Sequence, residues 1–187
     1  MSGDGGRVDV SSVWPGEFTT ARLRATPLCD ADGALFAALY GDADTMAQVG
    51  APLDAEAARR ALSAALRQMC SDPPRARYWR LDEGPQAFGL LSLVVDPTRT
   101  TAETGLLLCA GARSRGIARE ALAALLPRVI RTGGLEAVWT RHRPGHAAAE
   151  GLMRALGFAP LDAAAGWARW QMDRARLQAL AVTTVTV

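Results

Sequence analysis

The sequence predicts one mixed α/β domain, in which a largely antiparallel sheet contains a single parallel pair of strands. Two observations lead to this class. Apolar strands joined by short turns follow one another between residues 77 and 109, a pattern typical of antiparallel pairing. A strand, a glycine-containing loop, a helix and another strand come next, and this order implies a parallel pair with a right-handed crossover.

The first half of the chain is predicted to contain one strand and three helical segments. Asp30 and Asp54 precede apolar residues at helical spacing and are expected N-caps, and Asp72-Pro73-Pro74 ends the last helix. The segments are a strand at Phe18–Ala25, a helix at Asp30–Tyr40, a short helical piece that ends near Val49-Gly50, and a helix from Asp54 to about Cys70.

The second half is predicted to supply most of the sheet, with glycines that end two of its helices. The strands are expected at Arg77–Asp82, Ala87–Val95, Ala102–Cys109, Leu135–Thr140, Phe158–Leu161 and Gly166–Met172, and the helices at about Gly116–Thr132, Ala147–Leu156 and Asp173–Leu180. The parallel pair is then Ala102–Cys109 with Leu135–Thr140, and parallel neighbours beside an antiparallel sheet tend to splay and open a cleft.

The chain of 187 residues suffices for one domain with its own core. We expect the domain at residues 15–180, a flexible arm at 1–14, which is rich in Gly, Asp and Ser, and a tail at 181–187. Trp14 in the arm is expected to be a lid or a partner contact. The other aromatic side chains fall on predicted strands, where core packing is expected and some rings are alternatively walls of a cavity: Tyr78, Trp79, Trp139, Trp167 and Trp170.

Composition and charge exclude several classes of protein. The 21 basic residues, all arginine, are scattered among 19 acidic ones for a net charge of +2, which argues against a nucleic-acid partner. No apolar run reaches the roughly 20 residues of a membrane span, and the N-terminus lacks the order of a secretory signal. We therefore expect a cytoplasmic protein with no membrane partner.

The cysteines and histidines give no metal-binding pattern. Cys29, Cys70 and Cys109 have no metal spacing and are expected to be buried or half-buried thiols, not disulfides or zinc ligands. His142 and His146 are four residues apart, but Pro144-Gly145 between them breaks any helix, and no third ligand is evident. The sequence therefore predicts no metal.

The segment from Arg113 to Ala118 lies where a strand ends and a helix begins. The first turn of a helix leaves four amides without partners and carries a partial positive charge of about +0.5, and phosphate satisfies both. Gly116 permits close approach of the backbone, and Arg113 and Arg115 are expected to add charge-assisted bonds. A diphosphate is the expected ligand; the alternative is an ordinary surface loop, since a single glycine-containing turn is a weak signal.

Arg113-x-x-Gly116-x-Ala118 resembles the [Q/R]-x-x-G-x-[G/A] signature of the GCN5-related N-acetyltransferases (GNAT). The likeness extends from about Phe18 to Met172 and is similar to the branch that includes ribosomal-protein N-terminal acetyltransferases. Four further segments carry it: Thr20–Asp30, Ala102–Leu106, Glu120–Leu122 and His146–Phe158. The resemblance implies the acyl-CoA N-acyltransferase fold, with helices on both faces of the sheet and a splayed central parallel pair.

The same resemblance implies acetyl-CoA as the cofactor and assigns residues to it. The backbone of Leu106, Leu107 and Leu108 lies where the family pairs with pantetheine, and the loop that wraps the pyrophosphate is Arg113, Ser114, Arg115, Gly116, Ile117 and Ala118. His146 replaces the usual Asn of the second cofactor motif, Ala149 replaces a Ser, and Met153 falls near the tyrosine that protonates the leaving thiolate in many relatives. Weaker cofactor binding, a different acid and loss of activity are the alternatives that these departures leave open.

The predicted reaction is acetyl transfer from acetyl-CoA to a primary amine by direct attack in a ternary complex. The amine belongs to a small molecule or to a peptide or protein N-terminus, and the protein is a monomer or homodimer. Glu103 is the candidate base and His142 a candidate acid or base, the alternatives being an arginine-paired carboxylate and a solvated loop histidine. A non-catalytic acyl-CoA-binding module of the same fold is the alternative function.

Overall fold

A computed structural model describes residues 14–132 and 134–183 and shows eight strands in one sheet within that part of the chain. The strands are β1 (Phe18–Thr19), β2 (Arg24–Pro27), β3 (Ala76–Glu83), β4 (Gln86–Val95), β5 (Thr101–Leu108), β6 (Ala137–His142), β7 (Ala159–Ala164) and β8 (Trp167–Asp173). Their order across the sheet is β1-β2-β3-β4-β5-β6-β8-β7. Only β5 and β6 pair in parallel among these described strands, so the predicted mixed sheet is confirmed.

Six helices of the described chain lie around this sheet. They are α1 (Gly33–Gly41), α2 (Ala43–Met46), α3 (Ala55–Met69), α4 (Ile117–Thr132), α5 (Ala147–Leu156) and α6 (Arg174–Thr183). Two of the expected helix signals act locally: the Asp54 carboxylate accepts a hydrogen bond from the Ala57 amide at 2.7 Å, and Gly157 ends α5 in the left-handed region at φ 87°. The expected cap at Asp30 is wrong, because Asp30 begins a 3-10 turn and Asp32 is the N-cap of α1. No described helix is both long enough and apolar enough to cross a bilayer.

The sheet separates two hydrophobic cores. On one face, α1 and α3 pack over side chains that include Leu90 and Leu107; we call this the α1/α3 face. On the other, α4 and α6 pack over side chains that include Leu91, Val138 and Met172; we call this the α4/α6 face. Because side chains alternate along a strand, this division assigns every residue of the central strands to one of the two faces.

The parallel pair separates halfway along its length. β5 pairs with β6 only from Thr101↔Ala137 to Glu103↔Trp139, whereas it stays paired with β4 as far as Gly89↔Leu108. Beyond Glu103, β6 continues against β8 to His142. A wedge therefore opens between the upper halves of β5 and β6, as the order of elements predicted.

Two expectations for the N-terminal region are wrong. The segment predicted as one strand at Phe18–Ala25 is a hairpin of β1 and β2, because the Thr20 hydroxyl accepts from the Leu23 amide at 2.9 Å and closes a turn. Trp14 is a core residue rather than a lid, with 6% of its surface exposed. The adjoining backbone is anchored, since Gly16 accepts a hydrogen bond from the Trp79 indole at 2.9 Å. Residues 1–13 of the predicted arm and 184–187 of the predicted tail lie outside the described residues.

The cysteines differ partly from expectation. All three are free thiols, as predicted, but Cys29 and Cys70 are exposed, and only Cys109 is half-buried. Both exposed cysteines stand at the ends of short irregular segments, Cys29 before a 3-10 turn and Cys70 after α3, where no second layer covers them.

Candidate functional site

The loop between β5 and α4 contains two residues with a positive φ. After a 3-10 turn at Ala110–Ala112, Ser114 and Gly116 have φ of 59° and 77°. Left-handed residues within a turn allow successive amides to face the same side, an arrangement that favours an anion. Gly116 adopts this angle without the strain that a side chain imposes.

The amides of this loop are free of protein acceptors. In the described part of the chain, the first amide after Arg113 to donate a backbone hydrogen bond outside regular helix pairing is Glu120, which donates to the Gly116 carbonyl at 3.0 Å. No side chain there accepts from the amides of residues 114–118 either. Five adjacent unpaired donors at the start of α4 fit a group with several anionic oxygens, such as a diphosphate.

The two arginine side chains of the loop are already engaged by the protein. Arg113 donates to the Leu108 carbonyl at 3.2 Å and to the Thr45 hydroxyl at 2.6 Å, and its Nη2 lies 3.7 Å from Asp42. Arg115 forms an ion pair with Glu83. The charge-assisted contacts expected of these arginines are therefore not preformed, and their visible effect is to tie the loop to α2 and to β3.

A third arginine, Arg22, which belongs to the Thr20–Asp30 motif, also supports the loop. Arg22 donates to the Arg115 carbonyl at 3.2 Å, and its Nη2 lies 2.6 Å from Glu120 Oε2. Burial raises the pKa of the Glu120 carboxyl, but hydrogen bonds from Thr20 and Arg22 outweigh it and leave that pKa lowered. The signal was present in the sequence as Thr20-Ala21-Arg22 and Glu120, but only the structure brings these segments together.

The edge of β5 that faces the wedge has no strand partner from Thr104 to Leu108 within the described residues. Leu106, Leu107 and Leu108, the residues expected to contact pantetheine, all lie on this edge. The wedge therefore begins beside Glu103 and ends beside the amide-lined loop. An extended ligand with polar backbone-like groups fits such an open edge, because it can take up the unpaired donors and acceptors.

Glu103 lies at the point where the two strands part. Its side chain is on the α1/α3 face and 30% exposed, and its Oε1 lies 3.0 Å from Arg141 Nε. Burial raises the pKa of Glu103, while Arg141 and, more weakly, Arg169 oppose that rise. A carboxyl with a raised pKa binds a proton more readily near neutral pH, as a general base requires.

Tyr78 is a further candidate, although its sequence position predicted only a core residue or a wall of a cavity. It shares the α1/α3 face with Glu103, and the positions between them in the sheet are the small residues Ser92 and Gly105. Burial, with a smaller contribution from the negative charge of Glu103, raises the pKa of the Tyr78 phenol, so this phenol keeps its proton at neutral pH. No residue spacing signals this pairing, because it depends on the register of three strands.

His142 does not lie in a solvated loop. His142 is on β6 and 6% exposed, so the solvated-loop alternative is wrong. Its Nε2 accepts from the Trp170 indole at 2.9 Å, which leaves Nδ1 to donate to the Arg143 carbonyl at 2.8 Å. With both nitrogens bonded inside the protein, this ring has none for proton exchange, and we assign it no catalytic role.

His146 stands at the N-cap of α5, but its side chain makes no capping hydrogen bond. Its ring lies 5.9 Å from that of His142, edge to face, and its pKa is lowered, mainly by burial and less by His142. It stays neutral and can form a single hydrogen bond to a ligand. Met153, at the position expected for the tyrosine, is buried in the core on the α4/α6 face.

Comparison with known proteins agrees with this geometry. Residues 22–159 match the family profile "Acetyltransferase (GNAT) domain". No curated protein sequence matches significantly. Among solved structures, a complex of the ribosomal L7/L12 alpha-N-protein acetyltransferase RimL with coenzyme A superposes with a TM-score of 0.71 at 16% identity, over 82% of this chain and 95% of that one.

Two further structures have the same fold. The spermidine N-acetyltransferase of Vibrio cholerae, in complex with CoA and spermine, gives a TM-score of 0.73 at 13% identity, over 84% of this chain and 99% of that one. An acetyltransferase from Agrobacterium tumefaciens gives 0.73 at 20% identity, over 85% and 95%. The family profile spans most of the domain, so the resemblance noted in the sequence is confirmed: the chain belongs to the GNAT family of N-acetyltransferases, whose cofactor is acetyl-CoA.

Proposed function

We propose that this protein transfers an acetyl group from acetyl-CoA to the primary amine of a peptide or protein N-terminus, by direct attack in a ternary complex. The observation that carries the proposal is the continuity of the site: free loop amides at residues 114–118, an unpaired edge of β5, and Glu103 where the strands part. A diphosphate ligand with a long polar arm fits the first two parts, and its reactive end then falls beside a carboxylate.

The length of the unpaired β5 edge is consistent with a single extended ligand. Glu103 and Leu108 are five residues apart on β5, which corresponds to about 17 Å at 3.3 Å per residue. The loop amides follow directly after Leu108 and a 3-10 turn. A ligand anchored by its phosphates at the loop therefore spans the edge before it reaches Glu103.

When bound, acetyl-CoA supplies a thioester whose acetyl carbon forms the new amide bond and whose sulfur leaves as the thiol. Glu103 accepts a proton from the acceptor ammonium, directly or through a water molecule, because only the neutral amine is nucleophilic. A backbone amide within Leu106–Leu108 is our candidate donor to the carbonyl oxygen. Much of the remaining acceleration comes from holding the two reactants together.

The departures from the family pattern favour one alternative, a module that binds acyl-CoA without catalysis. Ala149 offers no side-chain hydrogen bond, and Met153 is buried and has no proton to give. Tyr78, on the same sheet face as Glu103, is the phenol that we propose as a substitute proton donor. A Tyr78→Phe variant with undiminished kcat would contradict this substitution.

Two measurements test the proposal. Isothermal titration with CoA is expected to show one site per chain, and binding that survives unchanged in Gly116→Ala would contradict the loop assignment. Release of free thiol from acetyl-CoA is then followed with peptides, polyamines and amino acids as acceptors. Release with peptides supports the transferase, whereas CoA binding without release from any acceptor identifies the binding module.

A further inference from the structure

Half of the α1/α3 face of the sheet is open. α1 and α3 pack against β4 and β3, and no residue of β6, β7 or β8 belongs to the core that they form. The opposite face of the same strands is buried, with Val138, Trp170 and Met172 at 4% exposure or less. The open half lies directly beside Glu103, the candidate base, so under the proposed function it is the acceptor side of the site.

This open half carries a cluster of three arginines and two tryptophans, which we call the Arg/Trp platform. Arg141 lies over Trp139 at 5.8 Å and over Trp167 at 5.2 Å, Arg143 lies 4.3 Å from the Trp167 centroid, and Arg169 lies 5.0 Å from that of Trp139. Guanidinium groups stacked on rings keep their N–H edges outward, and in that orientation they match the fork of a carboxylate.

The platform has an excess of positive charge. Among the described residues, Glu103 is the one acid that forms an ion pair with it, through Arg141, and Arg143 and Arg169 form no ion pair. Three arginines thus face one carboxylate in a protein whose net charge is only +2. Their charge is concentrated at the acceptor side of the site, where it attracts anions and repels polyamines.

The position of the platform sets the kind of acceptor. The distance across the sheet from β5 to β8, with β6 between them, is two strand spacings, or about 10 Å. An extended peptide covers that distance in about three residues. An amine held at Glu103 therefore places the second and third residues of its own chain over the platform.

Resting on the proposed function, we propose that the acceptor is a polypeptide N-terminus with acidic side chains at its second and third positions, read by the Arg/Trp platform. Single-stranded nucleic acid also stacks on aromatic rings beside arginines. The structure favours the peptide because Glu103, the candidate proton acceptor, borders the platform. The amine that such a base requires is at the start of a polypeptide, whereas an oligonucleotide has no amine at its ends.

The test compares otherwise identical hexapeptides with Asp-Glu, Asn-Gln or Lys-Arg at positions two and three, with acetyl-CoA and thiol release. We expect kcat/KM for the acidic peptide to exceed that for the neutral one by about tenfold, mostly through a lower KM. This is the gain in affinity expected from two exposed ion pairs between the peptide carboxylates and the arginines. In Arg143→Gln/Arg169→Gln this ratio is expected to fall to about one. Arg59→Gln/Arg67→Gln on α3 removes the same charge elsewhere and is expected to keep the ratio.

Peptide binding to the CoA-loaded protein, followed by tryptophan fluorescence, decides the inference independently of catalysis. If no peptide releases thiol but the acidic peptide still binds tighter than the neutral one, the proposed function fails and the platform assignment stands. Equal binding of the acidic and neutral peptides would overturn the assignment. So would equal use of free glutamate, or an oligonucleotide that binds more tightly than the acidic peptide and loses its binding in Arg143→Gln/Arg169→Gln.

Discussion

Arg141 Nε lies 3.0 Å from Glu103 Oε1, and Glu103 forms with Trp139 the last cross-strand pair before β5 and β6 separate. The ion pair therefore lies where the wedge begins. Two opposing effects set the proton affinity of this carboxyl: burial raises the pKa of Glu103, and Arg141 restrains that rise. An experiment can therefore distinguish two roles for Glu103, that of a general base and that of a structural ion-pair partner.

Replacing Glu103 with Gln removes the proton acceptor but keeps the size of the side chain. We expect kcat/KM for a neutral peptide to fall by about a hundredfold, at the lower end of what a general base contributes. The measurement is a pH profile between pH 6 and 9, with CoA affinity as a control that the wedge is intact. If the profile of Glu103→Gln matches the wild type throughout, Glu103 is only an ion-pair partner.

Replacing Arg141 with Gln removes the larger of the two positive charges that oppose the effect of burial on Glu103, so the pKa of Glu103 is expected to rise further. A base works only when deprotonated, and the acid limb of the kcat/KM profile therefore moves to higher pH in Arg141→Gln. A neutral acceptor peptide keeps recognition of acidic side chains out of the comparison. Arg60→Gln on α3, whose partner Glu56 is remote from the wedge, is the control and is expected to leave the limb in place. A limb that does not move in Arg141→Gln would show that another group titrates.

The order of elements was predictable because local signals encode it. The caps at Asp54 and Gly157 act within a few residues, and so do the turns between β3, β4 and β5. The first hairpin was missed although the turn that Thr20 closes is local. The hydrogen bond from Thr20 to Glu120 joins residues one hundred positions apart, and no local pattern predicts such a contact.

In the candidate site, too, the local features were predictable from the sequence and the features that depend on strand pairing were not. The loop at residues 113–118 was identified from its motif, and its assignment to the cofactor stays a prediction that the unpaired amides support. His142 was expected in a loop because the predicted strand ended at Thr140, whereas β6 continues against β8 as far as His142. A period-two pattern does not show which face of a strand is covered, so Trp139 and Trp167 were not separable from Trp79 and Trp170, which are buried in the core.

Gly116→Ala tests the loop through its backbone. The φ of 77° costs a residue with a side chain about 1–2 kcal/mol, although the new Cβ itself has room, its nearest neighbour being Arg22 Nη2 at 3.8 Å. The free loop is expected to relax from the anion-binding shape, which raises the Kd for CoA about five- to thirtyfold. Gly111→Ala, in the same loop but without a positive φ or a close neighbour, is expected to change Kd less than about twofold. Equal Kd values for the two variants would contradict the amide-lined site.

Gly89 and Gly151 are expected to respond to alanine in opposite directions. A Cβ on Gly89 would lie 2.7 Å from Leu108 Cδ2 and 2.9 Å from the Leu107 carbonyl, and the backbone oxygen cannot move without disturbing β5. Gly89→Ala is therefore expected to lower the free energy of unfolding by about 1–3 kcal/mol. Gly151 lies inside α5 with open space around it, so Gly151→Ala is expected to raise that free energy by about 0.5–1 kcal/mol. Urea unfolding followed by circular dichroism measures both, and a stable Gly89→Ala protein would show that β4 and β5 do not approach as closely as described.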